Sequence, residues 1–153
     1  MHMDIRFLAD DMLGGLARWL RVMGCDTLYR TSYTREGLKE LLLEGRMLLS
    51  RHRSRVRTHP FSLFILSDHV GEQLRQMKEA GLLPADRSGW LTRCLRCNVT
   101  LEKADPRAAR EHIPDHVFTC HGDEIRLCPS CNRHYWPGSH RNRMRQQLNE
   151  WGV

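Results

Sequence analysis

The stretch IRFLADDMLGGLARWLRVMGCDTLY, residues 5–29, changes hydrophobic period twice. Ile5 to Ala9 is a short apolar run that stops at Asp10 and Asp11, as a buried strand does. Leu13, Leu16, Ala17, Leu20 and Met23 then recur at helical spacing, and Gly24 closes the helix. Thr27-Leu28-Tyr29 begins a second strand. Strand, helix and strand in this order imply a parallel sheet, because parallel neighbours need a crossover long enough to hold a helix.

The pattern continues outward from there. Thr34 can cap a helix running to Glu44, with Leu38, Leu41 and Leu42 inward and Gly45 as its stop. Met47 to Leu49 is an apolar strand, and Leu63 to Leu66 is expected as another, more buried one. Val70, Leu74 and Met77 mark a third helix ending at Gly81, and residues 84–88 read as a linker. The expected organisation is an α/β domain over residues 1–88 and a smaller module over 89–153.

The smaller module is defined by CLRCN (94–98) and CPSCN (128–132). Two residues between cysteines let one turn aim both sulfurs at one ion, and two such turns supply tetrahedral Zn²⁺. The Asn after each pair suits the left-handed conformation such turns require. Cys94, Cys97, Cys128 and Cys131 would fill every position, so the zinc is expected to be structural. Cys120 and His121 lack a partner at knuckle spacing and read as bystanders, while His134 and His140, flanking the Tyr-Trp-Pro-Gly turn, are expected to hydrogen-bond backbone or face RNA. Residues 100–127 form a polar insertion with a short helix at 106–112. Tyr135-Trp136-Pro137-Gly138 turns the chain into Ser139, the N-cap of a last helix with Met144, Leu148 and Trp151 inward. Trp136 is expected to pack beside the metal.

Paired CxxC motifs with Cys25 and Cys120 left single suit a reducing cytosol rather than a disulfide scaffold, so a cytoplasmic location is expected. No stretch approaches the roughly 18 apolar residues of a membrane span. The net charge is +6, and its distribution says more than its size. Between Gly45 and Ser67 there is no acidic residue, while Arg46, Arg51, Arg53, Arg55 and Arg57 fall there. Arg141, Arg143 and Arg145 form a second run. Guanidinium forks pair bidentately with phosphate, so a nucleic acid is the expected partner, against the plainer reading of a solvated loop.

In an open parallel sheet, ligands gather beyond the carboxyl ends of the strands. Those ends carry Asp10-Asp11, Ser50-Arg51-His52 and Ser67-Asp68, with Glu36 and Glu40 on the second helix and Asp26 before a strand. Convergent carboxylates would suit Mg²⁺ or Mn²⁺, which take oxygen ligands and can activate water at a phosphodiester. Each acid taken separately also reads as a helix cap, and both readings stand at this point.

FLADDMLGGLARWLRVMGCDTLY (7–29), EGRMLLSRHR (44–53), DHVGEQL (68–74) and CPSCNRHYWPGSHRNRM (128–144) together closely resemble the Mut-seven C-terminal RNase domain family. The resemblance spans nearly the whole chain. It implies a PIN-like parallel sheet flanked by helices, an appended zinc ribbon, RNA as substrate and divalent-metal hydrolysis by acidic residues. Asp10 matches the family's first acidic position, and Asp26 the aspartate of its G-x-D-T segment. Where the family reads leucine-leucine-threonine-arginine-aspartate, this chain has Leu48-Leu49-Ser50-Arg51-His52, so imidazole replaces a carboxylate. The acid of the second helix is also displaced, with Glu36 nearest.

The expected function is a metal-dependent ribonuclease in which Asp10 anchors the ion and Glu36 and Asp68 complete the cluster. His52 and Asp26 join the catalytic candidates. Arg51, Arg53, Arg55, Arg57 and Arg141 are the candidates to hold RNA. The alternative is an RNA-binding protein of the same fold whose catalysis the His52 departure has weakened or removed.

Overall fold

The computed structural model describes residues 4–153. Strand β1 (Phe7–Ala9) leads through a 3-10 turn (Asp11–Leu13) into helix α1 (Gly14–Val22). There follow β2 (Thr27–Tyr29), α2 (Arg35–Leu43), β3 (Met47–Ser50), α3 (Arg53–Thr58), β4 (Ser62–Phe64) and α4 (Val70–Glu79). The four strands are parallel in the order β2-β1-β3-β4, with Phe7 level with both Thr27 and Met47. The chain leaves β1 toward one edge and returns across it to β3, so the strand order reverses between β1 and β3.

Phe7, Leu8 and Ala9 are all buried, as expected of a central parallel strand covered on both faces. Leu16, Ala17 and Leu20 of α1 and Leu74 and Met77 of α4 close over it. Each large side chain so buried stabilises the fold by about 1.5–3 kcal/mol.

Three expectations need correction. The last strand is more buried only at one point: Ile65 just beyond β4 is fully buried, but all three residues of β4 are half-buried and Leu66 is 69% exposed. β4 is an edge strand, so its outer side lacks a neighbour. The leucines of α2 are inward only in part, since no residue of that helix is fully buried and Leu43 faces solvent. The basic stretch after β3 is not a loop but contains α3, whose short turn sequence carries no apolar stripe.

The C-terminal module contains β5 (Glu102–Lys103), α5 (Pro106–Ala109), α6 (Asp115–His121), β6 (Arg126–Leu127), β7 (His134–Tyr135) and α7 (Ser139–Glu150). The three strands form an antiparallel sheet in chain order. The expected helix at 106–112 shortens to α5, capped by Asp105, and α6 appears where the sequence reads only as a polar insertion. Ala104, Ala109, Ile113 and Ile125 give this insertion a small core of its own.

The two halves share contacts throughout. Met144 and Leu148 of α7 and Trp90 lie in the same core as the parallel sheet. Trp151 meets Trp19 edge-on at 4.8 Å between ring centres. Arg21 on α1 donates to the carbonyls of Thr27, Leu95 and Arg96, joining helix, strand and first cysteine turn. No helix among the described residues is long and apolar enough to cross a membrane.

Gly24 is the tightest junction. It adopts φ +85°, and a Cβ there would lie 2.2 Å from the Gly89 carbonyl oxygen. Gly45 has a similar φ of +80° but open space around it. Gly24→Ala should therefore cost at least about 3 kcal/mol, and Gly45→Ala only about 1 kcal/mol. Urea midpoints measure both, and equal shifts would contradict the backbone clash.

Candidate active site and metal centre

Asp10 ends β1 in an extended conformation and caps the following 3-10 turn, accepting from the Asp11 N–H at 2.7 Å. Capping and convergence are thus combined in one residue. Asp10 is 1% exposed, and its other carboxylate oxygen accepts from the Ser50 hydroxyl at 2.7 Å. Ser50, at the end of β3, also accepts the His52 N–H at 2.9 Å. This fixes the turn that carries His52 back over β1. His52 Nε2 lies 3.1 Å from Asp11 Oδ1 and 4.0 Å from Asp10 Oδ2. Asp10, Asp11 and His52 each offer one ligand atom within 4.8 Å of the others. They sit at the carboxyl ends of β1 and β3, where the strand order reverses and a crevice is expected.

Arg55 supplies the countercharge. One of its guanidinium nitrogens contacts Asp10 Oδ1 and lies 3.4 Å from Asp11 Oδ1. Burial alone would raise the Asp10 carboxyl, but hydrogen bonds from Asp11, Ser50 and Arg55 outweigh it and hold the pKa at about 2. Asp10 is therefore a carboxylate at any working pH. Two tyrosines wall the site: Tyr29 donates to the Asp11 carbonyl at 3.1 Å and Tyr33 to the Ala9 carbonyl at 3.0 Å.

The other sequence candidates lie elsewhere. Asp26 precedes β2, at the opposite end of the parallel sheet from Asp10. Its carboxylate accepts from Arg46 at 2.8 Å and from Asn98 at 2.7 Å, making it a strut between sheet and first cysteine turn. Asp68 is exposed, with His69 3.6 Å away. Glu36 is exposed in the first turn of α2. None of the three belongs to the group formed by Asp10, Asp11 and His52.

The arginines also separate. Arg51 donates to the Leu66 carbonyl at 2.8 Å, Arg53 lies over the Phe64 ring at 4.5 Å, and Arg57 is exposed. Asp11 belongs to the group with Asp10 and His52 but is not among the catalytic candidates drawn from the sequence. Its adjacency to Asp10 was visible, but only the step from extended to 3-10 backbone turns both carboxylates the same way.

A divalent ion fits this donor set through Asp11, His52 and the Asp10 oxygen held by Ser50 alone. Imidazole among the donors favours Mn²⁺ over Mg²⁺. Arg55 competes for the same negative charge.

The second centre is built by two copies of one turn. The Asn98 N–H bonds to the Cys94 carbonyl and the Asn132 N–H to the Cys128 carbonyl, each at 2.9 Å. Both asparagines are left-handed, at φ +65° and +58°, as expected from sequence. The four sulfurs lie within 4.8 Å of one another, and Cys94 to Cys131 is 3.8 Å. A tetrahedron with Zn–S of about 2.3 Å has an edge of about 3.8 Å, so the set fits zinc. Burial would raise the Cys94 thiol, but Tyr135 and the backbone N–H groups of Cys97 and Arg96 bring it down to about 6. His134 instead stacks on His112 at 5.2 Å, and His121 pairs with Glu124.

A parallel sheet with acids at its strand ends, followed by this cysteine ribbon, carries the motifs of one family. The model of the Mut7-C RNAse domain matches residues 5–148. The chain belongs to that family. No curated protein and no solved structure matches it significantly.

Two predictions follow for this Mut7-C domain. Arg55→Gln removes the competing cation and should tighten Mn²⁺ binding on the order of tenfold, read by electron paramagnetic resonance titration. Unchanged or weaker binding would remove Arg55 from this role. Elemental analysis should find one zinc per chain in the native protein and none in Cys128→Ser. Amide exchange should then rise across residues 99–136, while α7, held in the sheet's core by Met144 and Leu148, stays protected.

Proposed function

We propose that this Mut7-C domain is a divalent-metal-dependent ribonuclease whose centre is Asp10, Asp11 and His52. The carrying observation is that these three converge at the strand-order reversal in a chain of an RNase family. Asp10, fixed by Ser50 and the Asp11 N–H, holds negative charge at a constant place. Asp11 and His52 are more accessible and would complete the ligand set. A bound Mg²⁺ or Mn²⁺ would activate water and stabilise the leaving oxygen of a phosphodiester. Arg55 would pass from the carboxylates to the incoming phosphate, and the exposed Arg57 would contact the RNA backbone. The cysteine ribbon would hold structural Zn²⁺. A cytosolic setting suits its thiolates.

Labelled RNAs incubated with Mn²⁺ or Mg²⁺ test this reading. Cleavage should appear and fall on the order of 10²–10³-fold in Asp10→Asn, as when a preorganised charge is lost. Cleavage that survives this change would sink the assignment.

A second reading has its own support: an RNA-binding protein without catalysis. His52 stands where a carboxylate is expected, and Arg55 already neutralises Asp10. If the wild type binds RNA without cutting it and His52→Asp gains metal-dependent cleavage, this second reading holds.

A further inference from the structure

A cleft of about 640 Å³ opens between α1, the first cysteine turn, β7 and the start of α7, away from the acidic centre. Its lining is strongly cationic: Arg18, Arg96, Arg126, Arg133 and Arg141 all face it, with Glu124 the one acid among the lining residues. No carboxylate among the described residues lies within ion-pair distance of any of these five. Arg93, which also lines the cleft, is different, since it donates to the carbonyls of Gly24 and Asn98 and serves the fold.

Unpaired arginines crowded together repel one another, so they mark a place where an anion offsets the cost. Arg141 carries this cost most directly. Burial first, then the like charges of Arg145 and Arg126, lower its pKa, with Glu124 only partly compensating.

One wall is aromatic. Trp136 is half-buried, packed on one side beside Gly138 and the small core of the insertion, and it lines the cleft. Tyr135 is committed elsewhere, its hydroxyl lying 3.2 Å from the Cys94 sulfur and donated to by the Leu95 N–H. Trp136 thus lines the same cleft as the five arginines without being fully buried. Phosphates at regular intervals with bases free to stack are the chemistry that such a wall accepts. A duplex hides its bases, and an acidic peptide has no ring to stack. Arg18 extends the lining along α1.

We propose that this cleft is a binding site for a single-stranded RNA segment, separate from the acidic centre, with the arginines on its phosphates and Trp136 stacked on a base. It rests on RNA being the substrate class, and deepens that reading by giving the ribbon the task of holding the strand.

The test uses the full zinc-loaded chain carrying Asp10→Asn, without added divalent ion. A fluorescein-labelled 12-nucleotide single-stranded RNA is followed by anisotropy between 50 and 200 mM salt. Arg126→Ala with Arg141→Ala should weaken binding at least tenfold and reduce the slope of log K against log salt by about 1.4, for two phosphates lost. Trp136→Ala should weaken binding about tenfold with the slope unchanged, and Trp136→Phe should recover part of it. Zinc content equal to the parent's verifies that each variant keeps its ribbon.

Unchanged affinity in the double arginine variant overturns the proposal, even if separate assays find Asp10-dependent cleavage. Loss of binding in these variants with no cleavage by the native chain supports the cleft and defeats only the nuclease reading. Equal competition by duplex RNA or by polyglutamate of matched charge also overturns it.

Discussion

The side-chain amide of Asn98 joins the two halves of this protein. Its oxygen accepts the Thr27 N–H at 2.9 Å on edge strand β2, and its nitrogen donates to Asp26. Asp26 in turn accepts from Arg46 at the start of β3. One buried asparagine, left-handed because it closes a cysteine turn, therefore also covers the open edge of the parallel sheet. Buried donors and acceptors are costly when unmet, so the turn and the strand hold each other in register. The first cysteine turn is thereby seated against the sheet edge, and Arg21 adds a second hold on it from α1.

Electrostatics divide the molecule differently. At the carboxyl ends of β1 and β3, negative charge is collected and then offset by Arg55 from within the chain. In the ribbon cleft, positive charge is collected with only Glu124 among the lining residues to offset it. The first arrangement is stable alone but can exchange its cation, whereas the second gains when an anion arrives. A basic protein need not be basic everywhere, and here the +6 net charge conceals an acidic centre and a cationic cleft.

The β1-α1-β2 unit was legible in the sequence because its period changes cleanly from strand to helix and back. The zinc turns were legible because spacing and the following asparagine both carry geometry. The four strands in parallel and the helices on them agree with the PIN-like expectation. The exposed side of β4 was not legible, because an apolar tetrapeptide does not reveal whether a neighbour lies beyond it. Helices α3 and α6 were hidden by polar composition.

The strand-end rule picked out Asp10 and His52, which the structure brings together. It could not choose Asp11 over Asp68, since convergence depends on backbone direction at a single peptide. Nor could a run of arginines disclose that Arg51 and Arg53 are already partnered within the fold.

The repeated turns differ in how they are held. Cys94 and Cys97 are anchored to α1 and β2 by Arg21 and Asn98, while Cys128 and Cys131 return only after a 30-residue excursion between Cys97 and Cys128. A metal joining them closes a loop upon a prepared template. Loop-closure entropy grows slowly, so doubling that excursion would cost only about 0.6 kcal/mol. If the small core around Ile113 and Ile125 is kept, this segment can lengthen or acquire new surface without unhooking the ribbon. The architecture thus places its freedom to vary between the two cysteine turns, beside the cleft, rather than in the sheet that sets the acidic centre.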